Sequence, residues 1–233
     1  MDQVELCADT TADWHAAWLT ALGLRSERRD SAWWALDPPP VIYLRAITLA
    51  RDAPDERLAE AEGTICDSFS SIDLARFGFV ERMREPWFVR PPGPLADEHA
   101  PPDLEIVGVS TPDEVLEFEA VSVRGFGGET ATVEPKSVHP PSILRDERMR
   151  MLTGRVGGSA VAAAMSYRTE RAVGIYGVTT VASARGRGIA SALTRALVDP
   201  ALAAVLSPSP EAESLYRRLG FEGVGELRQW HRS

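Results

Sequence analysis

The stretch of sequence that decides the fold is VTTVASARGRGIAS, residues 178–191. Its β-branched start predicts a strand, Gly186 and Gly188 predict a loop, and the apolar spacing from Ile189 onward predicts a helix. Glycines let the backbone approach a ligand closely, and the start of a helix presents unpaired N–H groups at its positive end. The pattern therefore indicates a phosphate site, and the alternative is a glycine-rich turn that binds no ligand.

Two common phosphate-binding motifs do not fit this stretch. A P-loop ends in Gly-Lys followed by Ser or Thr, and no such ending is present. The spacing Gly186-x-Gly188-x-x-Ser191 approaches the dinucleotide-binding fingerprint, which also needs an acidic residue about 20 positions on, after a second strand. Glu211 has that separation but follows Ser-Pro-Ser-Pro at a predicted helix start. A dinucleotide-binding domain is therefore not expected.

A second motif lies downstream, in the predicted helix of ESLYRRLGF, residues 213–221. Arg185-x-x-Gly188-x-Ala190 resembles the acetyl-CoA signature of the GNAT superfamily of N-acetyltransferases. The reading Leu-Tyr-x-x-x-Gly-Phe, which begins at Leu215, resembles that family's other marker. The two motifs stand in the family's order, with one predicted helix and one predicted strand between them. The resemblance covers residues 104–230.

The resemblance implies acetyl transfer from acetyl-CoA, as co-substrate, to the amine of a small molecule by direct attack on the thioester. Tyr216 is the implied general acid for the departing thiolate. In the family, the strand before the loop binds pantetheine and the loop binds the pyrophosphate. By position, the strand residues are Val178, Thr179, Thr180 and Val181, and the loop residues are Arg185, Gly186, Arg187, Gly188, Ile189, Ala190 and Ser191.

The general base is not evident, because the predicted strand GIYGVTTV, residues 174–181, has no carboxylate. Candidates elsewhere are Glu117, Glu119, Glu129, Glu134, His139 and His231. We expect Glu117 and Glu119 on a solvated helix face. An acceptor amine of lowered pKa, or a chain of waters, is the alternative to a protein base. The missing carboxylate also leaves open a CoA-binding sensor or scaffold without catalysis, or an interaction module with a purely structural loop.

A proline-rich stretch divides the chain. RPPGPLADEHAPPD, residues 90–103, contains five prolines and predicts a linker between a first lobe at 1–89 and a second at 104–233. Residues 73–87 and 215–230 share a Gly-Phe pair with a tryptophan downstream. The first lobe is interpreted as a degenerate copy of the second, and the alternative is a chance match, because Gly-Phe after a helix is a common ending. The predicted fold class is α/β (α+β): two lobes in tandem, with a GNAT-like mixed, mainly antiparallel sheet flanked by helices.

Composition limits the partners. The net charge is −9; residues 1–100 hold 10 basic and 18 acidic side chains, whereas residues 101–233 hold 15 and 16. Such an acidic chain is not expected to bind nucleic acid, since that affinity depends on Lys and Arg at phosphates. Cys7 and Cys66 match no metal or redox spacing, so no metal is predicted. The acidic start and the lack of a long apolar stretch predict a cytoplasmic protein without membrane contact. The oligomeric state stays open, a homodimer included.

Local patterns also predict individual elements. TADWHAAWLTALG, residues 11–23, predicts a helix capped by Thr11, and DERLAEAEGTIC, residues 55–66, predicts another. Thr111 followed by Pro112 predicts a strong helix start, and Gly157-Gly158 predicts a hairpin turn. The tryptophans before the linker are interpreted as core residues, and the alternative is an aromatic pocket for a cationic amine. They are Trp14, Trp18, Trp33, Trp34 and Trp87.

Overall fold

The computed structural model describes residues 2–40, 42–95, 100–132, 134–135 and 138–232. Its α-helices are α1 (Gln3–Ala21), α2 (Asp55–Leu58), α3 (Pro112–Gly127), α4 (Ile189–Leu197) and α5 (Glu213–Arg218). Its strands are β1 (Ser26–Arg29), β2 (Ala32–Ala35), β3 (Ala46–Thr48), β4 (Gly63–Asp67), β5 (Val80–Arg90), β6 (Leu104–Gly108), β7 (Met149–Val156), β8 (Ser159–Arg168), β9 (Ala172–Thr180), β10 (Ala203–Leu206) and β11 (Glu222–Arg232). Short 3₁₀ turns lie at Ala75–Phe77, Pro141–Arg145 and Ala182–Ala184.

The chain folds into two compact units. The first consists of Met1–Arg90, Val205–Ser214 and Phe221–Ser233, and the second of Pro91–Ala204 and Leu215–Gly220. The first unit therefore contains β11, although this strand is the last in sequence. The predicted boundaries at 89 and 104 follow the order of the chain, whereas the compact units do not.

Each unit contains a sheet in which antiparallel pairing dominates. In the first unit the strands are ordered β1-β2-β3-β4-β11-β5, and only the β3–β4 pair among them is parallel. In the second, β6, β7, β8 and β9 pair in sequence order, each antiparallel to the next. Helix α3 packs on β7, β8 and β9, and α4 also contacts these three strands. The predicted mixed α/β class with a mainly antiparallel sheet is confirmed.

The strands β5 and β11 pair about a local twofold relation. Glu85 and Leu227, the sixth residues after Phe79 and Phe221, stand directly opposite each other. The pairing is irregular at two places, where β11 has Val224 as an extra residue and β5 has Arg82. Each extra residue is the third after its Gly-Phe pair, so the two strands match each other in length and irregularity.

The tryptophans before the linker contribute to the core, as predicted. Trp18, Trp33, Trp34 and Trp87 are buried, and Trp14 is half-buried. The rings of Trp14 and Trp18 lie edge-to-face at 6.5 Å, and both contact the ring of Tyr43. Aromatic pairs of this geometry stabilise a core beyond the area they bury.

Two helix predictions in the first unit are wrong in extent. Helix α1 begins at Gln3, not after Thr11, because the side chain of Asp2 accepts a hydrogen bond from the Val4 N–H at 2.9 Å. The residues in between are largely buried, so the helix continues through Thr11. The helix predicted over residues 55–66 ends at Leu58, since Gly63 has φ +97° and the β-branched residues after it pair as β4.

The predictions for the second unit hold more closely. The Thr111 side chain accepts from the Glu114 N–H, and the Glu114 carboxylate accepts from the Thr111 N–H, which is a complete capping box at the start of α3. Gly157 and Gly158 have φ of +58° and +80° and join β7 to β8 as a hairpin.

Candidate cofactor site

Strand β9 is bulged just before the predicted phosphate loop. On β8, Ala163 is opposite Thr179 and Met165 is opposite Tyr176, so Gly177 and Val178 together face a single residue. Gly177 has φ +60°, a backbone conformation that favours glycine. At the bulge the regular pairing with β8 is interrupted, and the backbone groups of Gly177 and Val178 change direction. It falls at the start of the predicted pantetheine strand Val178–Val181.

The loop between β9 and α4 has the backbone that the glycines predict. Gly186 and Gly188 have φ of +76° and +80°, and a Cβ added at either meets no atom of the described chain within 4 Å. Gly188 is the N-cap of α4, and no side chain of the described residues caps this helix. The first backbone N–H groups of α4, at the positive end of this helix, are therefore not capped by a described side chain. This arrangement suits a pyrophosphate.

The two arginines of the loop have different partners. The Arg185 guanidinium donates to the carbonyl oxygens of Thr180 at 3.0 Å and Gly125 at 2.9 Å. It therefore fixes the loop to the end of β9 and to α3. Arg187 pairs with Asp103 at 2.5 Å, and this hydrogen bond is the main cause that lowers the pKa of the Asp103 carboxyl.

Sequence reasoning missed Gly125 as a residue of this site. A Cβ there would lie 2.2 Å from Oγ1 of Thr179, so a larger residue would push α3 away from β9. Its carbonyl oxygen also accepts the hydrogen bond from Arg185. The signal in the sequence is the dense run of glycines in RGFGGE, residues 124–129.

The hydroxyl of Thr180 is buried, and Oγ1 has no hydrogen-bond partner among the residues that the structure describes. Buried hydroxyls in proteins nearly always have a partner. An unsatisfied one on the last residue of β9, inside the predicted pantetheine strand, is consistent with a ligand or an ordered water at this position.

Tyr216 on α5 is buried, with 6% of its surface exposed. Burial raises the pKa of its phenol to about 12, against the smaller effect of a hydrogen bond with Thr194. Thr194 lies on α4 and donates its hydroxyl to the carbonyl of Ala190 at 2.8 Å. The phenol is thus held against the helix that follows the loop, and it keeps its proton at neutral pH.

The glutamates of α3 are already engaged. Glu117 forms an ion pair with Arg155. Glu119 is 1% exposed and accepts hydrogen bonds from the N–H groups of Val138 at 2.8 Å and His139 at 2.9 Å. The expectation that Glu119 lies on a solvated helix face is therefore wrong: its carboxylate instead holds the incoming loop.

The remaining candidate bases are dispersed. His139 is buried, and burial lowers the pKa of its imidazole to about 4, so that the ring is neutral at pH 7. Glu129 accepts from the Ser183 N–H at 2.9 Å, and its hydrogen bonding with Ser183 is the main cause that lowers the pKa of its carboxyl. Glu134 is exposed. His231 belongs to the first unit and forms a hydrogen bond with the Thr64 hydroxyl.

Two searches of the described residues found nothing. No group of three or more His, Cys, Asp or Glu side chains could hold a metal ion. No helix in that part of the chain is both long and apolar enough to cross a membrane.

Residues 118–221 match the family model of the acetyltransferase (GNAT) family. Among solved structures, the chain is similar to a GCN5-related N-acetyltransferase from Kribbella flavida, with 19% identity, 94% of each chain covered and a TM-score of 0.64. It is also similar to a putative acetyltransferase of the GNAT family from Novosphingobium aromaticivorans, with 16% identity, 98% of this chain and 99% of that chain covered, and a TM-score of 0.59. A search among curated proteins finds no match. At these sequence identities the structural similarity shows the fold alone. The family match shows that residues 118–221 are a GNAT acetyltransferase domain.

Proposed function

We propose that the chain transfers an acetyl group from acetyl-CoA to the amine of a small molecule. The family uses acetyl-CoA. The observation that carries the proposal is the continuous path from the bulge at Gly177-Val178, through the left-handed glycines, to the uncapped start of α4. Backbone of this kind suits a long, narrow ligand that ends in phosphate groups.

The residues fit such a ligand in two parts. Val178–Val181 would lie beside pantetheine, with the backbone groups of the bulge and the unpaired Thr180 hydroxyl as polar contacts. Arg185–Ser191 would hold the pyrophosphate through backbone N–H groups, because no atom of the described residues lies within 4 Å of a Cβ added at Gly186 or Gly188. The fixed guanidinium of Arg185 adds positive charge close to this loop.

Acetyl-CoA supplies a thioester carbonyl; when an amine attacks its carbon, a C–N bond forms and the C–S bond breaks. Backbone N–H groups at the bulge can stabilise the oxyanion that develops, a contribution of about 3 kcal/mol per donor in acyl-transfer enzymes. The buried phenol of Tyr216 still carries its proton at neutral pH and can give it to the thiolate. The proton that the amine loses passes to water in this scheme.

Two further observations, on the cysteines and on the charge of the chain, support a location and a class of acceptor. Both cysteines are buried and unbridged, which fits a reducing compartment such as the cytoplasm. The excess of acidic side chains in residues 1–100 favours a positively charged acceptor at low ionic strength.

The test is release of free CoA thiol from acetyl-CoA in the presence of a panel of primary amines. We expect at least one small amine to accelerate thiol release well above the rate with acetyl-CoA alone, with the acetylated amine as the second product. Acetyl-CoA binding without turnover on any amine would contradict the enzymatic proposal.

That outcome would favour the second candidate, a CoA-binding sensor or scaffold. The observation in its favour is that Glu117, Glu119 and Glu129 are each engaged with a partner inside the second unit. A sensor needs the loop but no base, so it predicts the same acetyl-CoA affinity and no thiol release.

A further inference from the structure

The first unit contains a cavity of about 280 Å³ that the acetyl-transfer chemistry does not use. Apolar and polar residues share its lining. The residues are Pro38, Pro39, Pro40, Tyr43, Arg45, Glu62, Gly63, Thr64 and His231, all of them in the first unit.

Three polar residues of the lining are neighbours in one row across the sheet. Because Ala46 pairs in parallel with Ile65, Arg45 comes beside Thr64, and its N–H donates to the Thr64 carbonyl at 2.7 Å. Thr64 is in turn the antiparallel partner of His231. Oγ1 of Thr64 and Nδ1 of His231 are 3.0 Å apart, so Nε2 is the ring nitrogen left for a ligand.

Two opposite charges line the same cavity without neutralising each other. Among the described residues, neither Arg45 nor Glu62 has an ion-pair partner within 4 Å. Asp37, which also feels the charge of Arg45, is paired with Arg25 at 2.8 Å. A cation and an anion that share a cavity without pairing match a ligand that carries both charges.

One wall of the cavity is apolar and rigid. Pro38, Pro39 and Pro40 have fixed φ angles, and the Tyr43 N–H donates to the Pro40 carbonyl at 2.8 Å. The Tyr43 ring is 3% exposed and packs on the ring of Trp18 at 6.2 Å. The wall is therefore formed before any ligand arrives, which lowers the entropic cost of binding.

We propose that this cavity binds a free α-amino acid with an apolar side chain. Arg45 takes the carboxylate, assisted by the Thr64–His231 pair, and Glu62 takes the ammonium group. The prolines and Tyr43 contact the side chain. The proposal rests on the first unit alone and is independent of acetyl transfer, because it requires binding without acetyl-CoA.

The first experiment titrates the full chain, without acetyl-CoA, with alanine, valine, leucine and phenylalanine by calorimetry. Leucine is then compared with 4-methylpentanoate, which lacks the ammonium group, and with 3-methylbutylamine, which lacks the carboxylate. We expect leucine to bind with a Kd of about 1 mM or tighter and each analogue to bind about tenfold more weakly. If no amino acid of the set binds, or if an analogue binds as well as leucine, the proposal is wrong.

The second experiment assigns the two charges. Arg45→Gln and Glu62→Gln should each weaken leucine about tenfold, whereas Arg82→Gln, at an exposed position of β5, should leave its affinity unchanged. Arg45→Gln should bind 3-methylbutylamine with the same affinity as the unmodified chain, because this amine has no carboxylate for Arg45 to bind. Since Glu62 is exposed, its variant is expected to fold even where Arg45→Gln does not. Unchanged leucine affinity in Glu62→Gln would overturn the assignment.

Discussion

Two segments of the chain repeat one order of elements. The first runs β3, α2, β4, a 3₁₀ turn and β5, and the second runs β9, a 3₁₀ turn, α4, β10, α5 and β11. Both pass through a Gly-Phe pair whose glycine has nearly the same φ, +84° at Gly78 and +83° at Gly220. Both then end in a strand of 11 residues.

The segments differ where the first strand leads into the first helix. In the second segment, Gly186 and Gly188 open the backbone, and α4 has nine residues. In the first, residues 49–54 contain no glycine, and α2 has four residues with Pro54 at its N-cap. So short a helix has little dipole, and proline lacks the N–H donor. The comparison teaches that the order of strands is kept in both segments, whereas the glycine loop and the longer helix, the features that we propose for pyrophosphate binding, occur in the second.

The segments also differ four residues before each Gly-Phe pair, where the first has Leu74 and the second has Tyr216. Leu74 is a core residue, so at this position the second segment alone has a hydroxyl. Replacement Tyr216→Phe should lower kcat about 100-fold, since general acid catalysis contributes on that scale, and should leave the Kd of acetyl-CoA nearly unchanged. Steady-state kinetics and calorimetry measure the two effects separately.

The matched control is Tyr167→Phe, because Tyr167 is also buried in the second unit and its hydroxyl donates a hydrogen bond, in this case to Asp146 at 3.3 Å. Its kcat should stay close to that of the unmodified chain. Equal losses in both variants would mean that Tyr216 matters for packing alone, as Leu74 does.

The glycines allow a direct test of the loop. Gly188 and Gly78 have almost the same φ, +80° and +84°, and a Cβ at either meets open space. Alanine at either position therefore costs about 1 kcal/mol of backbone strain. Only Gly188→Ala places a methyl group where the pyrophosphate must approach, so we expect it alone to weaken acetyl-CoA by about tenfold.

Thermal unfolding should show similar destabilisation of the two alanine variants. If Gly78→Ala weakens acetyl-CoA as much as Gly188→Ala does, the loss comes from general destabilisation, and the difference between the segments has no bearing on the cofactor.

A smaller effect is expected at Glu129, whose carboxylate accepts the Ser183 N–H at the start of the loop. Removing this charge should reduce repulsion of the incoming phosphates. Glu129→Gln is therefore predicted to bind acetyl-CoA about twofold more tightly at low salt, with the gain lost at high salt. Glu170→Gln, at an exposed turn of the same unit, is the control and should change nothing. Weaker binding by Glu129→Gln would show that Glu129 orders the loop.

Much of the second unit could be predicted because its signals are local. The Thr111 cap, the hairpin glycines and the run from β9 into α4 each depend on residues close in sequence. The first unit was harder to predict from its sequence. Helix α1 begins well before Thr11 because its first turns are buried, and a capping residue at Thr11 gives no sign of that burial. Strand β4 is similarly determined by its pairing with β3 and with the distant β11.

The site was predictable in its backbone and less so in its side chains. The glycines of the loop follow from the need for positive φ, but the turn of the Arg185 guanidinium toward Gly125 depends on tertiary contacts. The burial of Glu119 has the same origin, because its hydrogen-bond donors come from a loop about 20 residues away. The cavity around Arg45 combines residues of β4 and β11 with residues that precede β3 and β4, so no single stretch of sequence could reveal it.

The most direct test of the central claim is the stoichiometry of acetyl-CoA binding to the full chain by calorimetry. The difference between the two segments predicts one site per chain, which Gly188→Ala weakens and Gly78→Ala does not. A titration with two equivalent sites, or with no heat at high micromolar protein and ligand, would contradict the claim that the second segment alone binds the cofactor.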